Sequence, residues 1–576
     1  MGKKRTKKIK LTPEEKKERR EKSSFKRKII SVFKNSGFEY LPTNNLHRYF
    51  GDKKGEIDMA FLYENVILIC EDTCTKKERD IKDHLKNKKI FFDEFRKNES
   101  ECIDWLKEKF KEKFNKFHTY KNNRYKVFYI YIPKYKLKLT PEDKKLYSNI
   151  KIIAESSLNY FKEISASIKY SAKYDIFRFL NLSLKDIGVS TSSSDISSIE
   201  ASVIAPEAFT GMEDNIKIVS FLARAEDLMQ CSYVLRKDNW EEDISLYQRL
   251  IKKNRIEKVR EYIAKTKKAF LNNIIVTLPD TARFTKTLED GSSKEIDIEE
   301  LDELQVAKLE IPKEINSICI IDGQHRVFSH YEDEDKYERT IKSLRKELHL
   351  LTTGIVFPKN MPLSLRRKFE AEIFLDINSN AKPVPKDILL HISSIKDPFS
   401  SMSVARMVLK KLNETNTFPD YFQLSTLEKS KIKSPSIIQF VLNYLVDINE
   451  NKETLFKYWN EKEKKLLAQN NKERDRYLGL YVEYCSKYLE NYFRALKSTF
   501  NEDWYDENSK ILSVTSINGF IISLRHSLEK YGLKDYEFYK DRFSKLKINF
   551  NKDKFEFTSS QYHKFAEKIR IQCFND

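Results

Sequence analysis

The hydrophobic pattern changes character along the chain. Phe25 to Phe33 has apolar residues at helical spacing, and Asn35-Ser36-Gly37 stops it. Ile57–Tyr63 and Val66–Glu71 read as two short strands joined at Glu64-Asn65. A long Lys-rich helical stretch follows from about Lys76 to Phe117, then a strand at Val127–Pro133 and helix again over Lys144–Leu180. The run Gly188-Val-Ser-Thr-Ser-Ser-Ser-Asp-Ile-Ser-Ser198 is almost all small and polar, the composition of a flexible connector. Beyond it, strands at Asn273–Leu278, Ile315–Ile321 and Leu351–Phe357 alternate with helices at Ser245–Lys268 and Leu363–Glu372. From about Ser401 the pattern is mostly helical, with strand signals returning only at Lys547–Phe557.

These elements predict an α/β and α+β multidomain chain. The expected parts are a basic tail over 1–28, a mixed domain over 29–187, a linker over 188–200, a second mixed domain over 201–400 and a helical region over 401–576. A length of 576 residues accommodates about three or four domains. No internal repeat is visible.

Charge adds a partner class. The net charge is +20, and residues 1–28 supply half of it, with 14 Lys or Arg against four Glu. Such a surplus favours a polyanion, here DNA, although a tail alone gives salt-sensitive and non-specific binding. The seven Cys are odd in number and form no CxxC pair, which fits free thiols in a reducing compartment. The basic, Glu-containing start does not read as a signal peptide, and no apolar run reaches membrane-spanning length. The expected location is the cytoplasm.

The most specific segment is Ser317-Ile-Cys-Ile-Ile-Asp322-Gly323-Gln324-His325-Arg326-Val-Phe-Ser-His330. It reads as strand, tight turn and helix. Gly323 lets the backbone turn, and Gln324, His325 and Arg326 fall on the opening turn of the helix. A helix start with an Arg makes a local anion site. Asp322 at the N-cap would cap the helix or hold a metal. The plain structural alternative is that Arg326 pairs with a local acid. His330 shares the helix face with Arg326, where a packing or solvent role is the simpler reading.

This stretch resembles the signature of the DGQHR-domain family, which includes the DndB regulators of DNA phosphorothioation gene clusters. That family is similar to the ParB/sulfiredoxin-like superfamily, whose matching turn binds a nucleotide or phosphate. Val203-Ile-Ala-Pro206, Tyr247-Gln248-Arg249-Leu with Arg255-Ile256, and Phe374-Leu-Asp-Ile-Asn378-Ser-Asn-Ala-Lys-Pro383 also fit. The resemblance implies a site lined by Asp322, Gly323, Gln324, His325 and Arg326, with Asn378 and Arg249 near it. It implies DNA binding in a DNA modification or phage-defence locus, with other proteins of that locus as partners. In some relatives it implies hydrolysis of ATP or another nucleotide. A helical scaffold or homo-oligomerisation is the default role for the helical region.

A second constellation lies in the first hairpin. If Glu64-Asn65 is a two-residue turn, Tyr63 faces Val66 and Asp58 lies across from Glu71, with Cβ atoms roughly 4.5–5.5 Å apart. Opposed like charges are destabilising, and a divalent cation such as Mg²⁺ would relieve them and activate water. The pattern resembles the PD-(D/E)XK nuclease core, an Asp on one strand and Glu-x-Lys on the next. Asp58 and Glu71 match as catalytic and metal-binding residues, but Thr73 stands where the family has Lys. Lys76, Lys77, Lys82 or Lys86 are the candidate substitutes, and Glu39 is a candidate for the family's helix carboxylate. The resemblance implies a metal-dependent DNA endonuclease, the lost Lys a degenerate DNA-binding copy, and the DndB likeness a non-catalytic transcriptional regulator. Cys70 and Cys74 read as idle thiols, His84 as a surface residue, and the Tyr477–Tyr484–Tyr488–Tyr492 stripe as helix packing.

Overall fold

The computed structural model describes residues 12–44, 46–50, 53–189, 196–213, 215–234, 252–379, 394, 397–424, 432–469, 471–558 and 560–575. The backbone divides into two compact units, Met1–Arg366 and Arg367–Asp576. The architecture is mixed α/β, with sheets in the first unit and a helical C-terminal region.

The first unit opens on helix α1 (Pro13–Asn35). It begins a dozen residues before the apolar stripe because Thr12 and Glu15 form a capping box around Pro13. The basic stretch from residue 13 to 28 is therefore continuous with the amphipathic helix, which buries Phe25, Ile29, Val32 and Phe33. Five strands follow in a sheet whose spatial order is their chain order: β1 (Glu39–Leu41), β2 (Met59–Tyr63), β3 (Val66–Thr73), β4 (Lys126–Pro133) and β5 (Ile150–Ile152). Strand β2 is antiparallel to β1 and β3, while β4 and β5 continue parallel to β3. Strand β5 falls inside the stretch expected to be helical. Three apolar-alternating residues are too few to carry a strand period against helical flanks.

Side chains alternate across this sheet. Ala60, Leu62, Ile67 and Ile69 share a core with Ile81, Leu85, Phe92 and Phe95 of α2 (Glu78–Lys97). On the opposite face Phe61 stacks on Phe33 of α1, with ring centroids 4.5 Å apart. The helices α3 (Glu155–Ile168) and α4 (Lys173–Phe179) complete this part of the chain.

A nine-stranded sheet occupies the rest of the unit. Its strands are β6 (Ile196–Ala205), β7 (Lys217–Arg224), β8 (Ser232–Val234), β9 (Ile274–Thr277), β10 (Arg283–Thr287), β11 (Ser293–Glu295), β12 (Gln305–Pro312), β13 (Ile318–Asp322) and β14 (His349–Val356). They run in the order β8-β13-β9-β14-β7-β6-β12-β10-β11. Helices α5 (Ala225–Cys231), α6 (Lys253–Thr266), α7 (Gln324–Phe328) and α8 (Glu338–Glu347) interleave with it. Strand β13 lies between β8 and β9, one strand in from the sheet edge, and Ile318 to Ile321 are all buried, which is why its sequence reads as an unbroken apolar run. Helix α9 spans Leu363–Ser379.

The second unit is built on α10 (Ser401–Leu412), α11 (Arg474–Thr499), α12 (Val514–Tyr531), α13 (Tyr536–Ser544) and α14 (Tyr562–Cys573). Tyr477 and Tyr492 are buried in its core, and the Tyr492 hydroxyl donates to the Phe520 carbonyl at 2.8 Å, so the tyrosine stripe is packing. Lys547–Phe557 forms no strand; Asn551 makes only an isolated bridge to Ser509. No described helix is long and apolar enough to cross a membrane.

Candidate functional site: the acid hairpin and the DGQHR turn

The first hairpin has the register that its turn dictates. Tyr63 pairs with Val66, Leu62 with Ile67 and Met59 with Cys70. Glu64 sits in the left-handed region, at φ 49, as a two-residue hairpin turn requires. One step beyond Met59 and Cys70 come Asp58 and Glu71. The Asp58 amide donates to Glu71 Oε1 at 3.3 Å, and the Asp72 amide donates to Asp58 Oδ2 at 3.2 Å. Alternation places Glu71 on the α2 side with Ile67 and Ile69, and Asp72 on the α1 side near Lys22 and Lys26.

The Glu71 side chain is 0% exposed. Burial first, and then the charge of Asp58, push its carboxyl well above the ordinary carboxylate range; Lys88 opposes that shift. Asp72 is pushed up to about 6, mainly by burial and then by Asp58. Three carboxyl groups thus crowd the ends of β2 and β3, with Glu71 and Asp72 poorly solvated.

Lys88 forms an ion pair with Glu71. It supplies a cation where Thr73 does not. Thr73 is buried and its hydroxyl donates to Thr75 Oγ1 at 2.9 Å. Of the expected substitutes, Lys82 turns to Glu78 and Asp143, and neither Lys76, Lys77 nor Lys86 pairs with Glu71. Glu39 is not brought to the pair. It lies on β1, held by Lys113 at 2.6 Å and Lys116 at 2.5 Å. Lys88 was legible in principle. It falls at helical spacing within the buried stripe Ile81, Leu85, Phe92 and Phe95, and a lone Lys on an apolar face needs a partner. His84 is half-buried with Nδ1 2.9 Å from the Tyr131 hydroxyl, not a surface residue. Cys70 is buried and the Cys74 thiol is pushed up to about 11 by burial, so both are protonated near neutrality. No group of three or more His, Cys, Asp or Glu arranged to hold a metal occurs among the described residues.

The second region is the turn after β13. Asp322 ends the strand, and Gly323 rather than Asp322 is the N-cap of α7. Gly323 has φ 97, and a Cβ there would stand 2.9 Å from Ile274 Cγ1 and 3.2 Å from its Cα. Only glycine meets both demands. Arg326 Nη2 donates to Asp322 Oδ2 at 2.7 Å, so the motif's own acid meets its own base. Gln324 is buried, and His325 Nε2 accepts from the Lys252 amide at 3.2 Å. Helix α7 is only five residues long, so its dipole adds little at the turn.

Behind the turn lies a buried ionic network. His330 is buried, and burial pushes its imidazole down to about 4; its Nδ1 lies 3.0 Å from the Arg326 carbonyl. It is a neutral packing residue. Arg260, 1% exposed, reaches Asp335, Glu338 and the Tyr331 carbonyl, and Arg345 reaches Glu338 and the His330 carbonyl. Arg249 lies outside the described residues, as does the side chain of Asn378 and the linker stretch 190–195.

Comparison with known proteins places the chain in a family. A model of the DndB family, described as DNA-sulfur modification-associated, matches residues 208–557. That is more than half of the chain, and the protein belongs to this family. The match covers the DGQHR turn and runs through most of the helical unit, while the acid hairpin lies outside it. No curated protein and no solved structure matches the chain.

Proposed function

We propose that this DndB-family protein binds DNA within a DNA-modification or phage-defence system and carries a metal-dependent endonuclease site in its first hairpin. The supporting observation is the Asp58–Glu71 pair, joined through the Asp58 amide, with Lys88 beside it. The donor set fits Mg²⁺: hard carboxylate oxygens on adjacent strands, with burial first and then the charge of Asp58 raising the Glu71 carboxyl. Asp58 and Glu71 would hold the ion. When bound, Mg²⁺ supplies an activated water and a Lewis acid for a phosphodiester. The chain's own contribution is positional. The two-residue turn fixes the register of the acids, Lys88 keeps a cation beside Glu71, and the basic face of α1 lies near Asp72 to meet a phosphate backbone. The DGQHR turn would orient the DNA through Arg326, and other proteins of the locus would be its partners.

The competing reading is a regulator that binds DNA and cuts nothing. The family match favours it by leaving residues 1–207 unmatched. The test is incubation of the protein with plasmid DNA in Mg²⁺, Mn²⁺ or EDTA, beside Asp58→Ala and Glu71→Ala. Metal-dependent nicking that both variants lose, with DNA affinity kept, supports the endonuclease. A clean mobility shift without nicking in any metal overturns it in favour of the regulator.

A further inference from the structure

A cavity of about 240 Å³ opens in the first unit, away from both the acid pair and the DGQHR turn. Tyr63 from the end of β2, Lys173 and Tyr174 of α4, Glu226 of α5, Glu332 after the DGQHR helix, and Lys342 and Lys346 of α8 line it. Its floor is charged yet sealed. Lys173, 4% exposed, donates to Glu332 at 2.6 Å, and its ammonium lies 5.3 Å from the Tyr63 ring and 5.0 Å from the Tyr174 ring. The Tyr174 hydroxyl donates to the same carboxylate at 3.3 Å, and the Glu332 amide donates to Ser171 Oγ at 2.9 Å. These bonds join the hairpin region to the loop that follows the DGQHR helix.

The charges at the mouth are not balanced. Lys173 is matched by Glu332, and Arg260 and Arg345 are matched by Asp335 and Glu338. Lys342 and Lys346 are one helical turn apart on α8, exposed, and make no ion pair among the described residues. Facing them is one carboxylate, Glu226, likewise unpaired among the described residues. Two lysines at one end can hold a phosphate, and a carboxylate acceptor can receive hydroxyl or amino donors. Met229 and the ring edges of Tyr63 and Tyr174 add apolar lining. The volume is below that of a drug-sized pocket, roughly 300–1,000 Å³, which sets an upper limit near one small ligand.

From this we infer that the cavity binds a nucleoside phosphomonoester, with the phosphate on Lys342 and Lys346 and the nucleoside donors on Glu226. Occupancy would tie the hairpin region to the DGQHR side through Lys173 and Glu332. The ligand is either a free nucleotide or the 5′-phosphate terminus of a DNA strand; the recognised chemistry is the same.

Calorimetry on the full chain tests this with adenosine 5′-monophosphate, adenosine and inorganic phosphate. The nucleotide should bind more tightly than either fragment. Affinity should fall at least tenfold in the Lys342→Gln/Lys346→Gln double variant, whose sites are exposed and leave the core intact. It should stay unchanged in Lys265→Gln, a surface change elsewhere on the unit. Binding should weaken from pH 7.5 to 5.5 as the phosphate, with its second pKa at about 6, loses its second charge. If a 5′-phosphorylated oligonucleotide competes and its 5′-hydroxyl counterpart does not, the source is a DNA end. No binding of the nucleotide at millimolar concentration, or equal affinity in the double variant, overturns the proposal. These outcomes do not depend on whether the acid hairpin cuts DNA.

Discussion

The acid hairpin and the DGQHR turn both gather charged side chains at the end of a strand, yet they handle the charge in opposite ways. At the turn, Asp322 meets Arg326 directly, and the network behind it sets two arginines against two carboxylates. At the hairpin, three carboxyl groups crowd the ends of two neighbouring strands; Lys88 pairs with Glu71, Lys22 and Lys26 lie near Asp72, and two of the carboxyls are still pushed upward. A balanced network holds a shape without help. An unbalanced acidic cluster is less stable near neutrality than its parts, and a divalent cation would relieve it. On the function proposed above, the turn would position and the hairpin would gain from a ligand.

The largest way to break this contrast is to unbalance the turn. Arg260→Ala removes the arginine paired with Asp335 and leaves Glu338 with Arg345, and should cost about 3–5 kcal/mol in chemical unfolding of the chain. A loss below 1 kcal/mol would mean the network is solvated and the contrast false. Next is the cation at the hairpin. Lys88→Ala should reduce metal-dependent DNA cleavage at least as far as a hundredfold, about 2.7 kcal/mol, while Lys82→Ala leaves the rate unchanged. Equal rates in Lys88→Ala and the parent would remove Lys88 from the site.

Gly323→Ala should destabilise by about 2–3 kcal/mol, since it imposes a positive φ and a contact with the Ile274 backbone at once. A thermal shift too small to measure would show that the turn relaxes freely.

Asp72 gives a pH test with a definite sign. Its folded pKa, about 6, lies above the ordinary 3.8, so protonated Asp72 favours folding. That stabilisation is complete below the unfolded value and is lost as pH rises through about 6. Asp72→Asn keeps it at every pH, so the variant should gain on the parent by about 2 kcal/mol between pH 4 and pH 8. Mg²⁺ should narrow the gap at pH 8 if the acids bind it. A gap independent of pH would place Asp72 in free solvent.

The smallest effect is at Arg326. Its partner Asp322 is 42% exposed, so Arg326→Ala should cost at most about 1 kcal/mol of stability. DNA affinity should fall severalfold in a mobility-shift titration. Full affinity would show that the turn is structural only.

The sequence by itself determined the local geometry of both regions. A two-residue turn between alternating strands permits one register, so Asp58 opposite Glu71 followed from counting outward from Glu64-Asn65. The five residues from Asp322 to Arg326 marked a strand-turn-helix, and Gly323 carries the positive φ that the turn needs. Helical period also identified the tyrosines of α11 as core. The start of α1 was written in Thr12-Pro13-Glu14-Glu15, yet charge composition suggested a separate tail.

Tertiary structure decided what each charged group meets. Asp322 was expected to cap the helix or hold a metal; Gly323 takes the cap, and Asp322 is the local acid that Arg326 was alternatively expected to meet. Lys88 reaches Glu71 only because α2 packs across the sheet face that carries Ile67, Ile69 and Glu71. Lys173 meets Glu332 across 159 residues of sequence, and the cavity above them exists only once both sheets have formed. Register and turns are set by interactions a few residues long, which a chain writes in its own order. The balance of buried charge is set by which distant faces pack together, and that is fixed by the summed burial of apolar surface rather than by any one motif.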